Sequence, residues 1–476
     1  MMHFFHRLLF FIPAFFSSLS MAAQLCTGSL GDPVVNITFG SGTNTGNNYT
    51  PPTAYNFTTS TCPNDGSYTI TGFTSNCFGG NWHDVGGDHT GNGNFMLVNA
   101  SYQPGDFFKT TVSGLCPNTT YEFAAWIMNV LKTSGIKPDL TFRIEETDGT
   151  VLGQYSTGAL NETPTPVWSQ YGFFFTTPPA NPDVVLRITN NAPGGNGNDL
   201  ALDDITFRPC GPPITATITG MSGELSVCEY EQPTLQMEAD PSGFYLSPSI
   251  QWQLSVDSGA SWANIPGATG IQFTRLPTGP GHYWYRFNVA ETGSPAVCRI
   301  NSNILVCNIW PRPLANAGPD RVLLLGDTLQ MTATADPSGI YTWTPSVNLS
   351  DPLVLQPRSW PATLTTYQLQ VVSANGCTNE DEVTIRVLKD IYIPTAFTPN
   401  NDGLNDQWRI PSLDPGWGAE VLIFNRYGQI IYRGKGADIS WDGTAGGLIQ
   451  PSGVYIYLLQ IPAKRLQRRG TITLIR

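Results

Sequence analysis

The sequence predicts an all-β protein made of tandem β-sandwich domains. The 476 residues include 48 Gly and 38 Pro, which supply the backbone angles of tight turns. Short stretches of alternating apolar residues recur between these turns. Charged residues make up only 13 % of the chain, a composition that is poor for long helices. The length accommodates about three or four domains.

The first 23 residues have the pattern of a cleaved signal peptide. His3, His6 and Arg7 form a weakly basic start, and the apolar run Leu8–Phe16 precedes small residues. This run is too short to cross a bilayer, and no later stretch is long and apolar enough to do so. We therefore expect a secreted or surface-exposed chain without a transmembrane segment in its mature form.

The charge distribution argues against nucleic acid as a partner. The formal net charge is −12, and residues 24–108 contain five Asp but no Lys or Arg. Such a surface repels phosphate backbones. Glycans, cations and other proteins remain as ligand classes.

The first predicted domain, residues 24–211, contains many short strands separated by turns rich in Gly, Asn and Pro. Their number and spacing indicate a β-sandwich of jelly-roll size. The clearest alternating segments are 95–98, 121–126, 140–144, 171–175 and 184–188.

Two segments of this domain resemble MAM-type adhesion domains and the related jelly-roll carbohydrate-binding modules. One is Asp88–Thr90 followed by Phe95–Val98, and the other is Gly197–Ile205, which leads to Cys210. The resemblance implies a β-sandwich that recognises a surface glycan or protein.

The second predicted domain, residues 212–311, contains Cys228, Trp252 and Cys298 in an immunoglobulin-like arrangement. In that fold a buried Trp packs beside a disulfide between the sheets. The resemblance implies a Cys228–Cys298 disulfide, and Cys307 is the alternative partner of Cys228.

The third predicted domain, residues 312–389, resembles the PKD-type repeats that serve as spacers in bacterial surface proteins. The resemblance rests on Asn316–Asp320, Tyr341–Pro345 and Asn375–Cys377. Cys377 has no partner nearby in the sequence, so we expect it to be the unpaired thiol.

Nine cysteines follow the leader, and an exported chain can oxidise them to disulfides. The odd number leaves at least one unpaired. Those that we expect in disulfides are Cys228, Cys298, Cys116, Cys210, Cys62 and Cys77.

The last predicted domain, residues 390–476, carries an ordered set of motifs: Ile393–Asp406, Val421–Gln429, Trp441–Thr444, Pro451–Tyr455 and Gly470–Arg476. This set resembles the gliding-motility-associated C-terminal domain, the type B sorting domain of the type IX secretion system. The resemblance implies outer-membrane translocation by that machinery, followed by release or attachment at the cell surface.

Local patterns in this domain agree with a β-sandwich. Asn425–Gln429 lies between two apolar runs and predicts a hairpin turn. Asn400–Gly403 predicts an Asx turn rather than a calcium loop. The basic end either forms the sorting signal or protects a solvated edge strand. Its residues are Lys464, Arg465, Arg468, Arg469, Gly470 and Arg476.

A weak ligand-binding candidate lies in the first domain, where Trp82, His83, Asp84, Asp88 and His89 fall within eight positions. Imidazole and carboxylate groups bind transition metals, and an exposed Trp ring stacks on sugars. The alternative is a loop held by hydrogen bonds from side chains to the backbone.

Asp203 and Asp204 interrupt an apolar strand and need partners there. In the jelly-roll families the equivalent acid often holds a structural calcium ion, and carboxylate oxygens suit calcium. Because side chains alternate along a strand, we expect only one of the two as a ligand. Hydrogen bonding to the backbone is the alternative.

No nucleophile elbow, zinc-protease motif or phosphate-binding loop is present in the sequence. We therefore predict a non-catalytic binding or adhesion protein at the cell surface. The alternatives are a glycan-active enzyme, whose paired carboxylates would meet only in three dimensions, and a structural subunit of a surface filament.

Overall fold

The computed structural model describes residues 25–40, 55–133, 135–180, 182–218, 223–231, 234–275 and 279–476. The expected signal peptide, residues 1–23, lies outside these ranges. The described backbone forms strands and four short 3-10 helices, and no α-helix occurs in it. The 3-10 helices are Cys77–Gly80, Ala296–Cys298, Pro415–Trp417 and Pro462–Lys464. The all-β prediction is confirmed.

Contacts divide the chain into two compact units. Unit 1 consists of the chain up to Val227 and of the segment that follows Glu231 and ends at Ile309. Unit 2 consists of Cys228–Glu231 and Trp310–Arg476. Each unit contains several β-sheets of its own.

The first sandwich of unit 1 contains twelve strands in two sheets. One sheet has the order β10-β7-β12-β5-β4-β3, with β1 and β2 paired to β12, and the other has the order β6-β11-β8-β9. All five alternating segments expected from the sequence lie in strands. The strands are β1 Ser29–Leu30, β2 Val35–Ile37, β3 Asn56–Phe57, β4 Ser67–Thr71, β5 Phe95–Asn99, β6 Gly105–Val112, β7 Thr120–Asn129, β8 Asp139–Glu146, β9 Val151–Ala159, β10 Ser169–Thr176, β11 Val184–Asn190 and β12 Leu200–Gly211.

The core of this sandwich forms because apolar side chains alternate on its strands and point inward from both sheets. Phe123 is fully buried at its centre, with its ring 5.2 Å from that of Phe142 on the opposite sheet. Phe207 and Phe173 lie 5.5 and 5.6 Å from the same ring. Aromatic packing of this kind joins the two sheets.

The second sandwich of unit 1 has a three-stranded sheet, β13-β15-β18, and a larger sheet, β14-β21-β19-β16-β17, with β20 paired to β19. Trp252 is buried between the sheets, 5.4 Å from Phe287, as the resemblance implied. The strands are β13 Thr215–Ile218, β14 Glu224–Cys228, β15 Leu235–Asp240, β16 Pro248–Ser255, β17 Ala263–Asn264, β18 Gln272–Arg275, β19 Gly281–Glu291, β20 Ile300–Asn301 and β21 Leu305–Trp310.

Unit 2 begins with a sandwich around the buried Trp343. Its main sheet has the order β23-β29-β28-β26, in which β23 and β29 are parallel. The strands are β22 Ala315–Asn316, β23 Arg321–Leu324, β24 Leu329–Gln330, β25 Thr334–Ala335, β26 Ile340–Thr344, β27 Arg358–Ser359, β28 Thr365–Val372 and β29 Thr378–Leu388.

The last sandwich has the main sheet β30-β38-β37-β32-β33. The expected hairpin turn at Asn425–Gln429 joins β32 to β33, and Leu404 N donates to Asp402 Oδ1 in the expected Asx turn. The strands are β30 Ala396–Phe397, β31 Trp408–Arg409, β32 Glu420–Phe424, β33 Ile430–Lys435, β34 Ser440–Trp441, β35 Thr444–Ala445, β36 Leu448–Ile449, β37 Gly453–Ile461 and β38 Leu466–Leu474.

Four disulfides form, and they include all six cysteines that we expected to be oxidised. Three join residues far apart in sequence. The pairs are Cys26–Cys210, Cys62–Cys77, Cys116–Cys298 and Cys228–Cys377.

The expected pairing in the second sandwich is wrong. Cys228 bonds to Cys377 rather than to Cys298, and Cys377 is therefore not the unpaired thiol. The reason is the position of each cysteine in the tertiary structure. Cys228 begins the short segment that belongs to unit 2, whereas Cys298 lies in a 3-10 helix that contacts the first sandwich through Cys116.

The free thiol is that of Cys307, on β21. It is fully buried and packs in the core of the second sandwich as a small apolar side chain. Burial raises its pKa to about 11, so the reactive thiolate is scarce at neutral pH.

We expect the native, unreduced protein to resist alkylation by iodoacetamide, because its single thiol is buried and protonated. Denaturation without reduction should then allow one label, located on Cys307 by peptide mass spectrometry. A label on Cys377 or Cys298 under these conditions would refute the disulfide pattern.

Candidate functional site

The long loop between β4 and β5 covers the outer face of the larger sheet of the first sandwich. Its apolar residues form a second cluster with side chains of β5, β7 and β12. The buried members of this cluster are Cys77, Trp82, Val85, Phe95, Leu97, Met128, Val130, Leu131 and Ala201. The loop is therefore packed, and its polar residues are held at defined positions.

A cavity of about 190 Å³ opens where this loop meets the residues that lead into β12. We call it the Phe78 cavity. One wall is aromatic: the Phe78 side chain is 44 % exposed, and its ring lies 4.7 Å from that of the buried Trp82. Polar groups also line it, namely Asp65, Asn81, Asn196 and Asp199. Such a pairing of a ring with amides and carboxylates suits ligands that have both an apolar face and hydroxyl groups.

Asp199 lies at the bottom of the cavity and is almost fully buried. Its Oδ2 accepts a hydrogen bond from Trp82 Nε1 at 3.1 Å, and its Oδ1 accepts one from Ala100 N at 3.3 Å. Burial raises its pKa to about 7, although both hydrogen bonds oppose the shift. Its role here is to orient Trp82 and thereby the aromatic wall.

The Cys62–Cys77 disulfide holds the two sides of the Phe78 cavity together. Asp65 follows Cys62 by three positions, and Phe78 follows Cys77 directly. Because the cross-link fixes both segments, the ring and the carboxylate face the cavity before a ligand arrives.

The structure separates the five residues of the predicted ligand cluster. Trp82 lines the cavity but is only 2 % exposed, so the expectation of an exposed Trp ring is wrong. Packing against β5 and β7 and the bond to Asp199 bury it. His83 is also buried, and Asp84 is exposed with its Oδ1 accepting from Asn76 N at 2.7 Å.

Asp88 and His89 lie at a different place. The His89 ring stacks on Trp126 at 3.7 Å, and its Nδ1 is 2.8 Å from Asp204 Oδ2. Asp88 accepts hydrogen bonds from Thr90 Oγ1 and Asn92 N within its own loop. Among the residues that the structure describes, no three His, Cys, Asp or Glu side chains are grouped to hold a metal ion.

Asp203 and Asp204 lie at an irregularity in the pairing of β12 with β7, where Asp204 has a positive φ of 44°. Asp203 is fully buried, and its Oδ2 accepts from His89 N at 3.0 Å. Its Oδ1 has no hydrogen-bond partner among the described residues. Burial, with Asp204 and Asp88 nearby, raises the pKa of Asp203 to about 7. A free buried carboxylate oxygen fits the oxygen-ligand chemistry of calcium.

The sequence reasoning missed Phe78, Asp65 and Asp199 as residues of one cavity. Asp199 lies in the segment Gly197–Ile205 used for the jelly-roll resemblance, and Cys62 and Cys77 bracket part of the loop. A sequence signal therefore existed for the neighbourhood. No feature of the sequence indicated that Phe78 rather than Trp82 would be the exposed ring.

The basic end of the chain divides into structural and exposed residues. Lys464 forms an ion pair with Asp327 at 2.5 Å, and Arg476 donates to backbone carbonyls, among them Gly443 O. A Cβ at Gly470 would lie 2.7 Å from Tyr457 Oη, so a larger residue there would require the Tyr457 ring to shift. The exposed residues are Arg465, Arg468, Arg469 and Arg476.

Comparisons with solved structures return β-sandwich proteins. The CBM22-1 xylan-binding domain from Paenibacillus barcinonensis Xyn10C is 13 % identical, covering 38 % of this chain and 97 % of its own, with a TM-score of 0.25. Sidekick-1 immunoglobulin domains 1–4 are 12 % identical, covering 79 % and 99 %, with a TM-score of 0.16. With values this low, neither structure identifies a ligand for this chain.

A third structure is SGBP-B of the Bacteroides ovatus mixed-linkage glucan utilization locus, in complex with a mixed-linkage heptasaccharide. It is 12 % identical, covering 55 % of this chain and 70 % of its own, with a TM-score of 0.15. No curated protein matches the chain. Within the described residues, no helix has the length and hydrophobicity needed to cross a membrane.

The family comparison gives a definite result for the last sandwich. Residues 391–474 match the CHU_C type IX secretion signal domain, as the order of motifs had indicated. Export through that system requires contact with its secretion machinery, and it delivers the protein to the cell surface or the surrounding medium. The chain thus carries a type IX secretion signal domain as its last sandwich.

Proposed function

We propose that the exported protein is a non-catalytic glycan-binding protein whose ligand site is the Phe78 cavity. The observation that supports this best is the exposed Phe78 ring in a cavity that polar side chains also line. The sandwiches that follow, predicted at residues 212–311 and 312–389, would act as spacers. The remaining domain, residues 390–476, would direct export.

The chemistry of the cavity suits a single sugar unit. The apolar face of a pyranose packs on an aromatic ring, and its hydroxyls bond to carboxylate and amide groups such as Asp65, Asn81 and Asn196. A volume of about 190 Å³ is below the roughly 300 Å³ at which sites for drug-sized ligands begin. A longer glycan would therefore place one unit in the cavity and extend along the surface.

A hydrolytic role is the second candidate, because Asp65 and Asp199 line the same cavity and glycosidases use two carboxylates. The contacts of Asp199 argue against it. Both of its oxygens already accept hydrogen bonds, and the residue is 4 % exposed, so neither oxygen is presented to a glycosidic bond.

Substitution Phe78→Ala should weaken glycan binding by residues 24–476 about tenfold, because the stacking surface is lost. Binding would be measured by affinity electrophoresis and calorimetry on neutral polysaccharides, including xylan and mixed-linkage glucan. Phe73→Ala is the matched control, since Phe73 is an exposed aromatic residue of the same loop that does not line the cavity.

Equal binding by the two variants would contradict the assignment of this cavity. Release of reducing ends from any of these polysaccharides by the wild type, abolished in Asp199→Asn, would replace the binding role by the hydrolytic one.

We also propose a structural calcium ion at Asp203. The free, buried Asp203 Oδ1 would be one ligand, and backbone carbonyls and water would complete the shell. The ion would neutralise Asp203, whose pKa is raised by burial and by the nearby Asp204 and Asp88.

Removal of calcium with EGTA should lower the first thermal unfolding transition by several degrees, and added calcium should restore it. In Asp203→Asn that response should vanish. Asp148→Asn is the matched control, because this exposed carboxylate belongs to a turn of the same sandwich. Retention of the calcium response in Asp203→Asn would exclude the site.

For export we propose that the machinery reads the last strand, β38. On one side, β38 pairs with β37 along its whole length. On the other side, β30 pairs only with Thr473 and Leu474. Within the described chain, the rest of that edge is unpaired. An open edge with exposed arginines suits strand addition by an acidic partner.

The combined variant Arg465→Glu, Arg468→Glu and Arg469→Glu should accumulate in the cell envelope, because it reverses the charge of that edge without touching the core. Immunoblotting of envelope and medium fractions, with protease shaving of whole cells, measures the distribution.

The control carries the same change at three exposed arginines outside β38: Arg409→Glu, Arg426→Glu and Arg433→Glu. Normal surface display of the first variant would show that the machinery does not read this edge.

A further inference from the structure

A second cavity, of about 360 Å³, lies between the two sandwiches of unit 1. Its first side is the loop Asp32–Val34 between β1 and β2. Its second side is the outer face of the larger sheet of the second sandwich, with the turn Ala296–Arg299. We call it the Arg299 cavity, and it shares no lining residue with the Phe78 cavity.

Arg299 is held in place from both sides along the chain. The preceding residue, Cys298, is bonded to Cys116 of the first sandwich, and the following residue, Ile300, forms a β-bridge with Gly31. Both neighbours are buried. Because side chains alternate in extended backbone, the half-buried Arg299 points to the other face, where it lines the cavity.

The two arginines of this region differ in how their charge is balanced. Arg286 donates to both carboxylate oxygens of Asp32, at 2.8 and 2.6 Å, and its guanidinium lies 4.2 Å from the Trp262 ring. It is therefore neutralised within the protein. Asp32 is neutralised by the same contact.

Arg299 has only neutral partners. Its Nη1 donates to Ser249 O and Asn288 Oδ1 at 2.9 and 3.0 Å, and its Nη2 donates to Ser249 Oγ at 2.8 Å. No carboxylate forms an ion pair with it among the described residues. Burial lowers the pKa of Arg299, as expected for a desolvated cation without a counter-ion. An anion in the cavity would offset this cost.

Two of the amides around Arg299 add free donors. The Asn288 oxygen faces Arg299, and the Asn264 oxygen accepts from Gln253 Nε2 at 2.9 Å. The amide nitrogens of Asn288 and Asn264 have no acceptor within the described chain. Pro33 and Val297 contribute apolar wall. The cavity therefore offers one unbalanced cation, spare N–H donors and apolar surface.

We infer that the Arg299 cavity binds the carboxylate of an acidic saccharide, with Arg299 as the charged partner. The carboxylate would pair with the guanidinium, the ring hydroxyls would accept from Asn288 and Asn264, and the apolar ring face would lie on Pro33 and Val297. The volume is at the lower end of the roughly 300–1,000 Å³ of small-molecule sites and suits one to three sugar units.

The net charge of −12 does not oppose this assignment. At physiological ionic strength exposed charges are screened beyond about 8 Å, so the local cation determines what enters the cavity. The same screening predicts that binding weakens as salt is added.

The test uses residues 24–476 and isothermal titration calorimetry with three probes: tri-galacturonate, the neutral α-1,4-galactotriose, and a triglutamate peptide. We expect tri-galacturonate to bind, and galactotriose to bind at least tenfold more weakly. Arg299→Gln should weaken the binding of tri-galacturonate at least tenfold.

A second variant guards against misfolding of Arg299→Gln. Asn264 is exposed, so Asn264→Asp places a negative charge at the cavity rim without disturbing the core, and it should weaken tri-galacturonate binding similarly. Arg143→Gln removes an equal charge from an exposed position on β8 and should leave binding unchanged.

Two results would overturn the inference. One is that the wild type does not bind tri-galacturonate, or that Asn264→Asp binds it as tightly as the wild type does. The other is that triglutamate binds in a way that depends on Arg299 while tri-galacturonate does not bind. The site would then recognise acidic peptides and not saccharides.

Discussion

Cross-links between distant segments are the constraint on which the rest of this structure depends. Three of the four disulfides join residues 184, 182 and 149 positions apart. In the chain-entropy model, closing a loop of that length in the unfolded chain contributes roughly 5 kcal/mol, against about 3 kcal/mol for a loop of 15 residues. Such bonds persist only in an oxidising environment, which agrees with export through the type IX secretion system.

Both ligand cavities lie beside one of these cross-links. Cys77 directly precedes Phe78, and Cys298 directly precedes Arg299. Loops that connect strands are ordinarily the most mobile parts of a β-sandwich. A covalent anchor one residue away reduces the entropy that a binding side chain loses when a ligand orders it. The cross-links therefore connect the stability of the exported chain to its proposed binding roles.

Three buried carboxylates differ in what offsets the cost of burying their charge. Asp414 is buried in unit 2, but Arg321 and the N–H groups of Val322 and Gly416 surround it. Burial opposes ionisation of Asp414, yet these donors outweigh it and hold its pKa below the usual value. Asp199 and Asp203 have no such cation, and burial raises the pKa of each to about 7. Asp199 lies beside the Phe78 cavity, and Asp203 lies in the proposed calcium site.

The sequence by itself determined the local structure and the destination of this protein. Alternation of apolar residues located the strands, because neighbouring side chains on a strand face opposite sides. The segment Asn425–Gln429 specified its own hairpin turn, and the ordered motifs of residues 390–476 indicated the secretion signal. Trp252 was correctly placed in a core because a large apolar side chain in an alternating strand has to be buried.

Only the tertiary structure decided which cysteines pair, which aromatic side chain of the loop is exposed, and which charges remain unbalanced. Cys228 bonds to Cys377, Trp82 is buried while Phe78 is exposed, and Arg299 has no counter-ion within the described chain. Each of these outcomes depends on segments that meet although they are distant in sequence. A local pattern sets the direction of a side chain but contains no information about what packs against it.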